Sequence, residues 1–329
     1  MRNEKLRIGI VGMGKMGLVH SGILNVLPDV ELVAMCEKNS MIRRFAKKLF
    51  RNLEIVDDLD KLEGFDLDAV YVTTPIPSHF PVAKAILENN VSRNLFVEKT
   101  LAQTYSESKQ LADLAQSLRS ITMVGYLRRF YVTFNKAREL LQENGVGKVE
   151  SFKAYAYSSD FLGLEKAQTF SRGGVLADLG CHAIDLAFWL FGADLNVSST
   201  GSKSSNQTED SVSFGVEGPE LVGEFDVSWC KEDYRMPDVG FLIIGSEGKL
   251  FVNDDQVKFE PENGVPSKMY RHDLNDNVPF WLGLPEYYRE DLHFIKSLVR
   301  QTKAEPDFSS AAKVDKIIDD VVGGEVHQE

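Results

Sequence analysis

The sequence has few cysteines and no long apolar segment. Its 329 residues include three cysteines, Cys36, Cys181 and Cys230, which are scattered and form no Cys-x-x-Cys pair. An odd, scattered set of thiols does not supply a disulfide framework, so we expect reduced thiols in a reducing compartment. No uninterrupted apolar run approaches the roughly 18 residues of a membrane span, and the first residues lack the apolar core of a signal peptide. These absences predict a cytoplasmic protein that does not bind membranes.

Positive charge is also scarce. The chain has 37 Lys and Arg residues against 49 Asp and Glu residues, so its formal net charge is −12. Non-specific nucleic-acid binding needs a basic surface, so this charge balance argues against nucleic acid as a partner. The hydrophobic content of 43% is ordinary for a globular protein. The length suggests about two domains.

The most informative feature that is present is a glycine loop between a strand and a helix. Residues 6–11 form a short β-branched apolar run, typical of a buried strand, and lead into a G-x-G-x-x-G at residues 12–17. A helix is predicted over Leu18–Leu27, and a second strand, Glu31–Cys36, ends on the acid Glu37. This order of elements is the dinucleotide-binding fingerprint. The alternative interpretation is an ordinary glycine turn in an α/β protein.

Each glycine of the loop has a separate expected role. Gly12 permits the tight turn, Gly14 lets the backbone approach a pyrophosphate, and Gly17 lets helix and strand pack closely. The pyrophosphate then lies at the helix N-terminus, where free N–H groups favour an anion. Glu37 is placed to accept hydrogen bonds from a ribose diol, which predicts NAD rather than NADP. The basic residues that could instead pair with a 2′-phosphate are Lys38, Arg43 and Arg44.

The pattern of predicted elements divides the chain into two parts. Up to residue 124 short strands alternate with helices, which indicates a parallel sheet with helices on both faces. After a predicted helix at Phe130–Glu143, strands follow one another through tight turns, and apolar and polar residues alternate in Leu221–Trp229. We predict an α/β fold: a Rossmann dinucleotide-binding domain over 1–124, then an α+β domain with an open, mainly antiparallel sheet over 125–329. The second domain is expected to bind substrate and to mediate oligomerisation.

Glu98-Lys99-Thr100 directly follows the apolar strand Leu95–Val97. In doubly wound sheets ligands bind at the carboxyl ends of the strands, so Lys99 is placed to point into the cofactor crevice. Partial desolvation there would lower its pKa towards the working pH of a proton-transfer group. The alternative is a surface lysine at the end of a strand.

A second group of titratable residues follows two adjacent glycines. Asp178, His182 and Asp185 are spaced i, i+4 and i+7, which places them on one face of a helix. Carboxylates beside a histidine favour its charged form and fix its orientation. The alternatives are a structural Asp–His hydrogen bond at a helix N-terminus and a metal site. A metal is not favoured, because no further His or Cys cluster supplies a fourth ligand.

The remaining candidate binding residues lie in two loops and in one segment that matches no motif. The loop Thr74–His79 follows the strand Ala69–Val72 beside the expected cofactor. Arg128 and Arg129 lie near the predicted domain boundary, where they would hold a polyhydroxylated or phosphate-bearing substrate or form ion pairs between domains. The remaining candidate substrate contacts, in the segment 158–172, are Phe161 and Arg172.

Together these motifs resemble the glucose–fructose oxidoreductase, inositol dehydrogenase and rhizopine catabolism family (Gfo/Idh/MocA) over nearly the whole chain. The glycine loop, the proline-containing loop at residues 74–79 and the segment 125–130 are similar to the family's, and the E-K-P and D-x-G-x-H-x-x-D motifs correspond to residues 98–100 and 178–185. The chain departs from the family at Thr100, where proline is usual. The resemblance implies that Lys99, Asp178 and His182 form the catalytic group.

The remaining expected contacts follow the same motifs. Cofactor contacts are expected from Gly12, Gly14, Lys15, Met16, Gly17, Glu37, Thr74, Pro75, His79, Glu98 and Lys99. Substrate contacts are expected from Arg128, Arg129, Asp185, Arg172 and Phe161. A homodimer or homotetramer is expected, because an open sheet leaves a broad face uncovered.

The expected activity is NAD(P)-dependent transfer of a hydride between the nicotinamide and a secondary hydroxyl of a sugar, a polyol or a sugar derivative, including a nucleotide-linked one. His182 would exchange the hydroxyl proton, and Lys99 would stabilise the developing charge on that oxygen. One alternative is a transient oxidation that serves hydrolysis or elimination of a glycoside. Another is a non-catalytic, cofactor-sensing regulatory protein.

Overall fold

The computed structural model describes residues 5–50, 53–160, 162, 173–203, 209–274, 278–279 and 283–323. They form two compact units. The first comprises the described residues between 5 and 126 and between 283 and 315, and the second those between 127 and 279 and between 316 and 323. The sequence division at 124/125 assigns everything after residue 124 to the second domain, whereas residues 283–315 group with the first unit.

The described chain forms the following elements in sequence order. The strands are β1 (Leu6–Val11), β2 (Val30–Cys36), β3 (Glu54–Val56), β4 (Ala69–Val72), β5 (Leu95–Val97), β6 (Thr122–Val124), β7 (Val149–Tyr157), β8 (Asn196–Lys203), β9 (Ser211–Gly218), β10 (Leu221–Ser228), β11 (Asp238–Gly245), β12 (Gly248–Asn253), β13 (Gln256–Pro261) and β14 (Ser267–Tyr270). The helices are α1 (Lys15–Leu24), α2 (Ser40–Leu49), α3 (His79–Glu88), α4 (Tyr105–Ser117), α5 (Val132–Gln142), α6 (Cys181–Phe191), α7 (Pro285–Arg300) and α8 (Phe308–Gly323).

The first unit is built on a six-stranded parallel sheet with the strand order β3-β2-β1-β4-β5-β6. Its central strands are apolar and buried on both faces, as parallel strands between helices must be. The order reverses direction at β1, so the carboxyl ends of β1 and β4 flank the switch point where such sheets bind ligands. The predicted Rossmann domain is confirmed.

The second unit contains an eight-stranded sheet with the order β14-β13-β12-β11-β7-β10-β9-β8, antiparallel except between β7 and β10. One face packs on helices: α5 lies against β12 and β13, and α6 against β7 and β11. The rings of Phe152, Phe225 and Phe241 form the core there. The opposite face carries polar residues such as Lys153 and Glu224, whose charged groups are 2.9 Å apart. The predicted open, mainly antiparallel sheet is confirmed.

Several element boundaries differ from the sequence predictions for local reasons. Helix α1 begins at Lys15, three residues before the predicted start, because Gly14 serves as its N-cap. Helix α5 begins at Val132 after a 3-10 turn over Leu127–Phe130. The strands that the patterns did not predict include β3, β8 and β14, which lie at sheet edges, where pairing on one side requires little apolar alternation. In the chain that the structure describes, no helix combines the length and apolarity needed to cross a bilayer.

Candidate active site

The three loop glycines meet three different surroundings. Gly12 has a φ of +96°, and a Cβ there would lie 2.9 Å from the backbone nitrogen of Thr74. A Cβ on Gly17 would lie 2.1 Å from the carbonyl oxygen of Gly12, so only glycine fits. Gly14 has no heavy atom within 4 Å of the corresponding position. The structure therefore needs Gly12 and Gly17 for its own packing, whereas the space above Gly14 is open to a ligand.

The N-terminus of α1 presents backbone donors towards this open space. Among the described residues no side chain caps this end, and the first turn carries no acid. Lys15 is exposed and Met16 is partly exposed beside it. Thr73 donates from its hydroxyl to the carbonyl oxygen of Gly12 at 2.7 Å and thereby fixes the loop. These are the donor set and the positive dipole end that an anionic diphosphate requires.

The neighbouring loop supplies a buried polar atom. The hydroxyl of Thr74 is buried and has no hydrogen-bond partner among the residues that the structure describes. Such a group is costly unless a bound molecule satisfies it. Together with the open position above Gly14, it shows that the residues present fit a dinucleotide.

Glu37 is held at the tip of β2, against the glycine loop. One carboxylate oxygen accepts the N–H of Met13 at 2.9 Å, and the other accepts the N–H of Asn39 at 2.7 Å. The guanidinium of Arg43 donates to the carbonyl oxygens of Glu37 and Lys38 at 2.8 and 2.6 Å. The carboxylate is therefore fixed where a ribose is expected, and Arg43 is engaged by backbone oxygens. Of the other two basic candidates, Lys38 and Arg44 are exposed.

His79 joins two segments beside this site. Its Nδ1 lies 2.7 Å from the carbonyl oxygen of Thr100, and its Nε2 lies 2.7 Å from the carbonyl oxygen of Thr74. The side chain is buried, whereas Pro75 is exposed on the same loop. The peptide bond between Lys99 and Thr100 is cis. His79 therefore ties the proline-containing loop to the backbone that follows Lys99, and both of its ring nitrogens already face backbone oxygens.

Lys99 lies at the carboxyl end of β5 and is half-buried. Its backbone N–H donates to Glu98 Oε2 at 3.2 Å. The other oxygen of Glu98 lies 3.0 Å from Nε2 of His20, and Nδ1 of His20 lies 2.8 Å from an oxygen of Asp291. Burial raises the pKa of Glu98, but the hydrogen bond and charge of His20 outweigh burial and lower it. Glu98 is therefore an ionised, buried anchor for the lysine backbone.

In the second unit, the histidine motif follows a glycine turn and a π-helical segment. Gly173 and Gly174 have φ values of +76° and +97°, which disfavour other residues. Glu209 accepts the N–H of Leu176 at 3.2 Å, and residues 176–180 then form a π-helical turn that leads into α6. The predicted regular helix thus begins as a π turn, a form found often at functional sites.

Asp178 lies on this π turn and is partly exposed, and His182 lies buried in the first turn of α6. Asp185, predicted to share their face as a substrate contact, is buried and accepts two hydrogen bonds from Arg129, at 2.8 and 2.6 Å. Arg128 donates to both oxygens of Asp254, at 3.1 and 3.0 Å. Both arginines therefore form ion pairs, but these two pairs lie within the second unit and not between domains, as the alternative had predicted.

Two predicted substrate residues, Phe161 and Arg172, lie outside the described residues. Within the described residues, no group of three or more His, Cys, Asp or Glu side chains is arranged to hold a metal ion.

Comparison with known proteins identifies the family. Residues 6–126 match the oxidoreductase family with an NAD-binding Rossmann fold, and residues 134–251 match the GFO/IDH/MocA C-terminal domain. The chain belongs to the GFO/IDH/MocA oxidoreductase family. The predicted family, the oxidoreductase activity class and NAD as the cofactor are confirmed.

The names of several proteins similar to this GFO/IDH/MocA chain describe dehydrogenases of cyclic polyols and sugars. It is 26% identical to scyllo-inositol 2-dehydrogenase (NAD(+)) of Bacillus subtilis (strain 168), over 76% of this chain and 74% of that protein. It is 27% identical to glucose-6-phosphate 3-dehydrogenase of the same organism, over 95% and 94%. Levoglucosan dehydrogenase in complex with NADH and levoglucosan superposes with a TM-score of 0.82 at 20% identity, over 97% of both chains, which shows a shared fold.

Sequence reasoning missed three members of these constellations: His20, Asp291 and Asp254. His20 is a polar residue inside the apolar stretch that forms α1. A histidine in such a stretch could have indicated a buried, hydrogen-bonded side chain. Asp291 and Asp254 lie in ordinary polar surroundings of the sequence, and only the folded chain reveals their partners.

Proposed function

We propose that this chain is an NAD-dependent dehydrogenase that transfers hydride between nicotinamide and a secondary hydroxyl carbon of a sugar, polyol or sugar derivative. The observation that carries the proposal is the glycine loop, where Gly14 is open to a diphosphate and Glu37 is fixed for a ribose diol. The polyol and sugar dehydrogenases among the relatives support the substrate class.

The roles that we propose for the catalytic residues follow the family motifs. His182 takes the hydroxyl proton during oxidation and returns it during reduction. Lys99 donates to the same oxygen and stabilises its developing negative charge. Asp178 orients His182 or a second hydroxyl of the substrate. The bound NAD supplies the hydride acceptor.

Substrate contacts of Arg128, Arg129 and Asp185 stay a prediction. The structure already gives these residues bidentate ion pairs, so any hydroxyl or phosphate that they bind must share them with those pairs. Phe161 and Arg172 stay in the proposal as candidates from the sequence alone.

The experiment that tests the function is a spectrophotometric screen for NAD reduction over polyols, aldoses, sugar acids, sugar phosphates and nucleotide sugars. We expect NADH to appear together with one ketone product. Cleavage of a glycoside without accumulated NADH would favour the hydrolase or eliminase alternative. Tight NAD binding without turnover of any substrate class would favour the regulatory alternative.

Cofactor preference gives a specific prediction. Glu37→Gln keeps the shape and one acceptor oxygen but removes the charge that repels a 2′-phosphate. We expect the wild-type protein to bind NAD more tightly than NADP, and the variant to shift the ratio of the two dissociation constants towards NADP by about tenfold. Fluorescence titration of both reduced cofactors measures this ratio. The exposed Glu63→Gln serves as the control, and tighter binding of NADP by the wild-type protein would reverse the prediction.

Assembly is a further prediction from the second unit. The open sheet face carries exposed apolar side chains, Val222 at 57% and Leu242 at 36% exposure, beside a shallow cavity of about 550 Å³ lined in part by Tyr155 and Tyr157. We propose that sheet faces of two copies pair, giving a homodimer or homotetramer in the cytoplasm. Light scattering at micromolar concentration should give the mass of a dimer or tetramer, and Leu242→Arg should weaken the association of the two sheet faces. A monomeric wild-type protein would contradict the proposal.

A further inference from the structure

A histidine lies fully buried between two carboxylates in the first unit. His20, on α1, is 0% exposed, as is Asp291, on α7, and Glu98 is 8% exposed after β5. The ring nitrogens of His20 lie 2.8 Å from Oδ1 of Asp291 and 3.0 Å from Oε1 of Glu98. Both nitrogens face acceptors that carry no proton when ionised, so both must donate, which only the imidazolium can do.

Electrostatics favour the charged ring. Burial lowers the pKa of His20, but the charges and hydrogen bonds of Asp291 and Glu98 outweigh burial and raise the pKa well above its usual range. Burial also raises the pKa of Asp291, and the hydroxyl of Tyr71 lies beside that carboxylate. In a buried ion cluster of this kind, removal of one member leaves an uncompensated charge.

The cluster is walled by aromatic rings and by one glycine. The ring of His20 lies 5.0 Å from that of Phe96 and 6.0 Å from that of Tyr287, measured between centroids. A Cβ on Gly125 would lie 3.2 Å from Oε2 of Glu98, so the absence of a side chain leaves room for this carboxylate. The carboxylate of Glu98 is therefore held on one side by His20 and fits against Gly125 on another.

The second oxygen of Glu98 accepts the backbone N–H of Lys99 at 3.2 Å. A continuous path of hydrogen bonds thus runs from Asp291 through His20 and Glu98 to the backbone of Lys99. The two links at His20 are buried and the link to Lys99 is partly buried, and together they join α7, α1 and the end of β5.

We propose that His20 is a positioning residue that fixes the backbone of Lys99 through Glu98, with Asp291 orienting its ring. This inference rests on the proposed function of Lys99. The histidine touches neither substrate nor cofactor in this assignment, and it acts by holding the Glu98 carboxylate in one place. Misplacement of a reacting group by about 1 Å can cost about a hundredfold in rate.

Two amide substitutions separate the two hydrogen bonds of the ring. The side-chain nitrogen of asparagine corresponds in position to Nδ1 of histidine, and that of glutamine corresponds to Nε2. His20→Asn therefore keeps the bond to Asp291 and loses the bond to Glu98, whereas His20→Gln keeps the bond to Glu98 and loses the bond to Asp291. Both variants are uncharged, so they share the loss of the imidazolium.

We expect kcat to fall about tenfold to a hundredfold in His20→Asn and by less in His20→Gln, with the NADH dissociation constant of both within about threefold of the wild type. Amide hydrogen exchange at Lys99, read by mass spectrometry, should be faster in His20→Asn than in His20→Gln. Phe294→Leu is the matched control, because Phe294 packs on Tyr71 and Phe96 without a bond to Glu98. It should lower the melting temperature and leave kcat and the Lys99 amide unchanged.

Equal kcat and equal Lys99 exchange in the two His20 variants would overturn the inference, and so would altered exchange with an unaltered kcat. The exchange measurement needs no substrate. If the wild-type protein reduces NAD with none of the substrates screened, faster exchange in His20→Asn would still support the positioning path, while the proposed function would fail by itself.

Discussion

Replacing Lys99 or His182 by alanine is expected to reduce kcat by about 10²–10⁴, the usual cost of losing a positioned proton-transfer group. The NAD dissociation constant should change by less than about tenfold, because the interaction with the reacting oxygen develops in the transition state. The kcat of Asp178→Asn should lie between that of these variants and that of the wild type, because asparagine keeps the shape of the side chain and removes its charge. Steady-state kinetics and NADH titration on the same preparations provide the comparison.

His182 is also open to a structural explanation, because it is buried in the first turn of α6 beside a π turn. A purely structural role predicts that His182→Ala lowers the melting temperature while the folded protein keeps its turnover. For Lys99, the matched control is Lys84→Ala, which should leave kcat unchanged, because Lys84 is also half-buried and its ammonium lies 3.8 Å from the carboxylate of Glu88 on the same helix. A near-normal kcat in folded His182→Ala would end its catalytic assignment.

The glycine loop and the residues at the strand ends were predictable, because interactions between residues close in sequence determine their positions. The turn at Gly12, the packing at Gly17 and the acid at the end of β2 are fixed by spacing along the chain, and the structure places them as that spacing requires. The same holds for Lys99, because any residue directly after a buried parallel strand lies at the carboxyl edge of the sheet.

The partners of charged residues were not predictable in the same way. His20 and Asp291 are separated by 271 positions, and no periodicity connects them. Asp185 shares a predicted helix face with His182, but a shared face does not reveal that Arg129 takes both of its oxygens. Burial decides these pairings, because a desolvated charge must find a counter-charge wherever the fold supplies one.

The helix that carries His182 was predicted only in part. A spacing of i, i+4 and i+7 predicts an α-helix, and α6 does begin within the motif, at Cys181. The preceding residues 176–180 have the wider π spacing instead, after the two positive-φ glycines. Periodicity therefore identified the helix and the candidate residues, while the geometry at its N-terminus depended on the Gly173-Gly174 turn and on Glu209, which the pattern does not encode.

Gly14→Val is expected to abolish NAD binding, raising the dissociation constant by at least about a hundredfold, without unfolding the protein. No heavy atom lies within 4 Å of the position that a Cβ would take, and the φ of −70° suits any residue. The new side chain therefore fills only the space through which a pyrophosphate approaches the backbone. The melting temperature of the apo protein should stay within a few degrees of the wild type, about the effect of a modest capping loss.

Gly17→Ala provides the contrasting variant, because its Cβ would lie 2.1 Å from the carbonyl oxygen of Gly12. The backbone must shift, so we expect both a lower melting temperature, from a strain of about 1–3 kcal/mol or more, and weaker NAD binding. Gly22→Ala, in the same helix with no atom within 4 Å, is the control and should keep full affinity. Calorimetric titration of NADH and thermal melts of the three apo variants separate the cases. Unchanged NADH affinity in folded Gly14→Val would show that no diphosphate lies on this loop, and the assignment of the cofactor site would then be wrong.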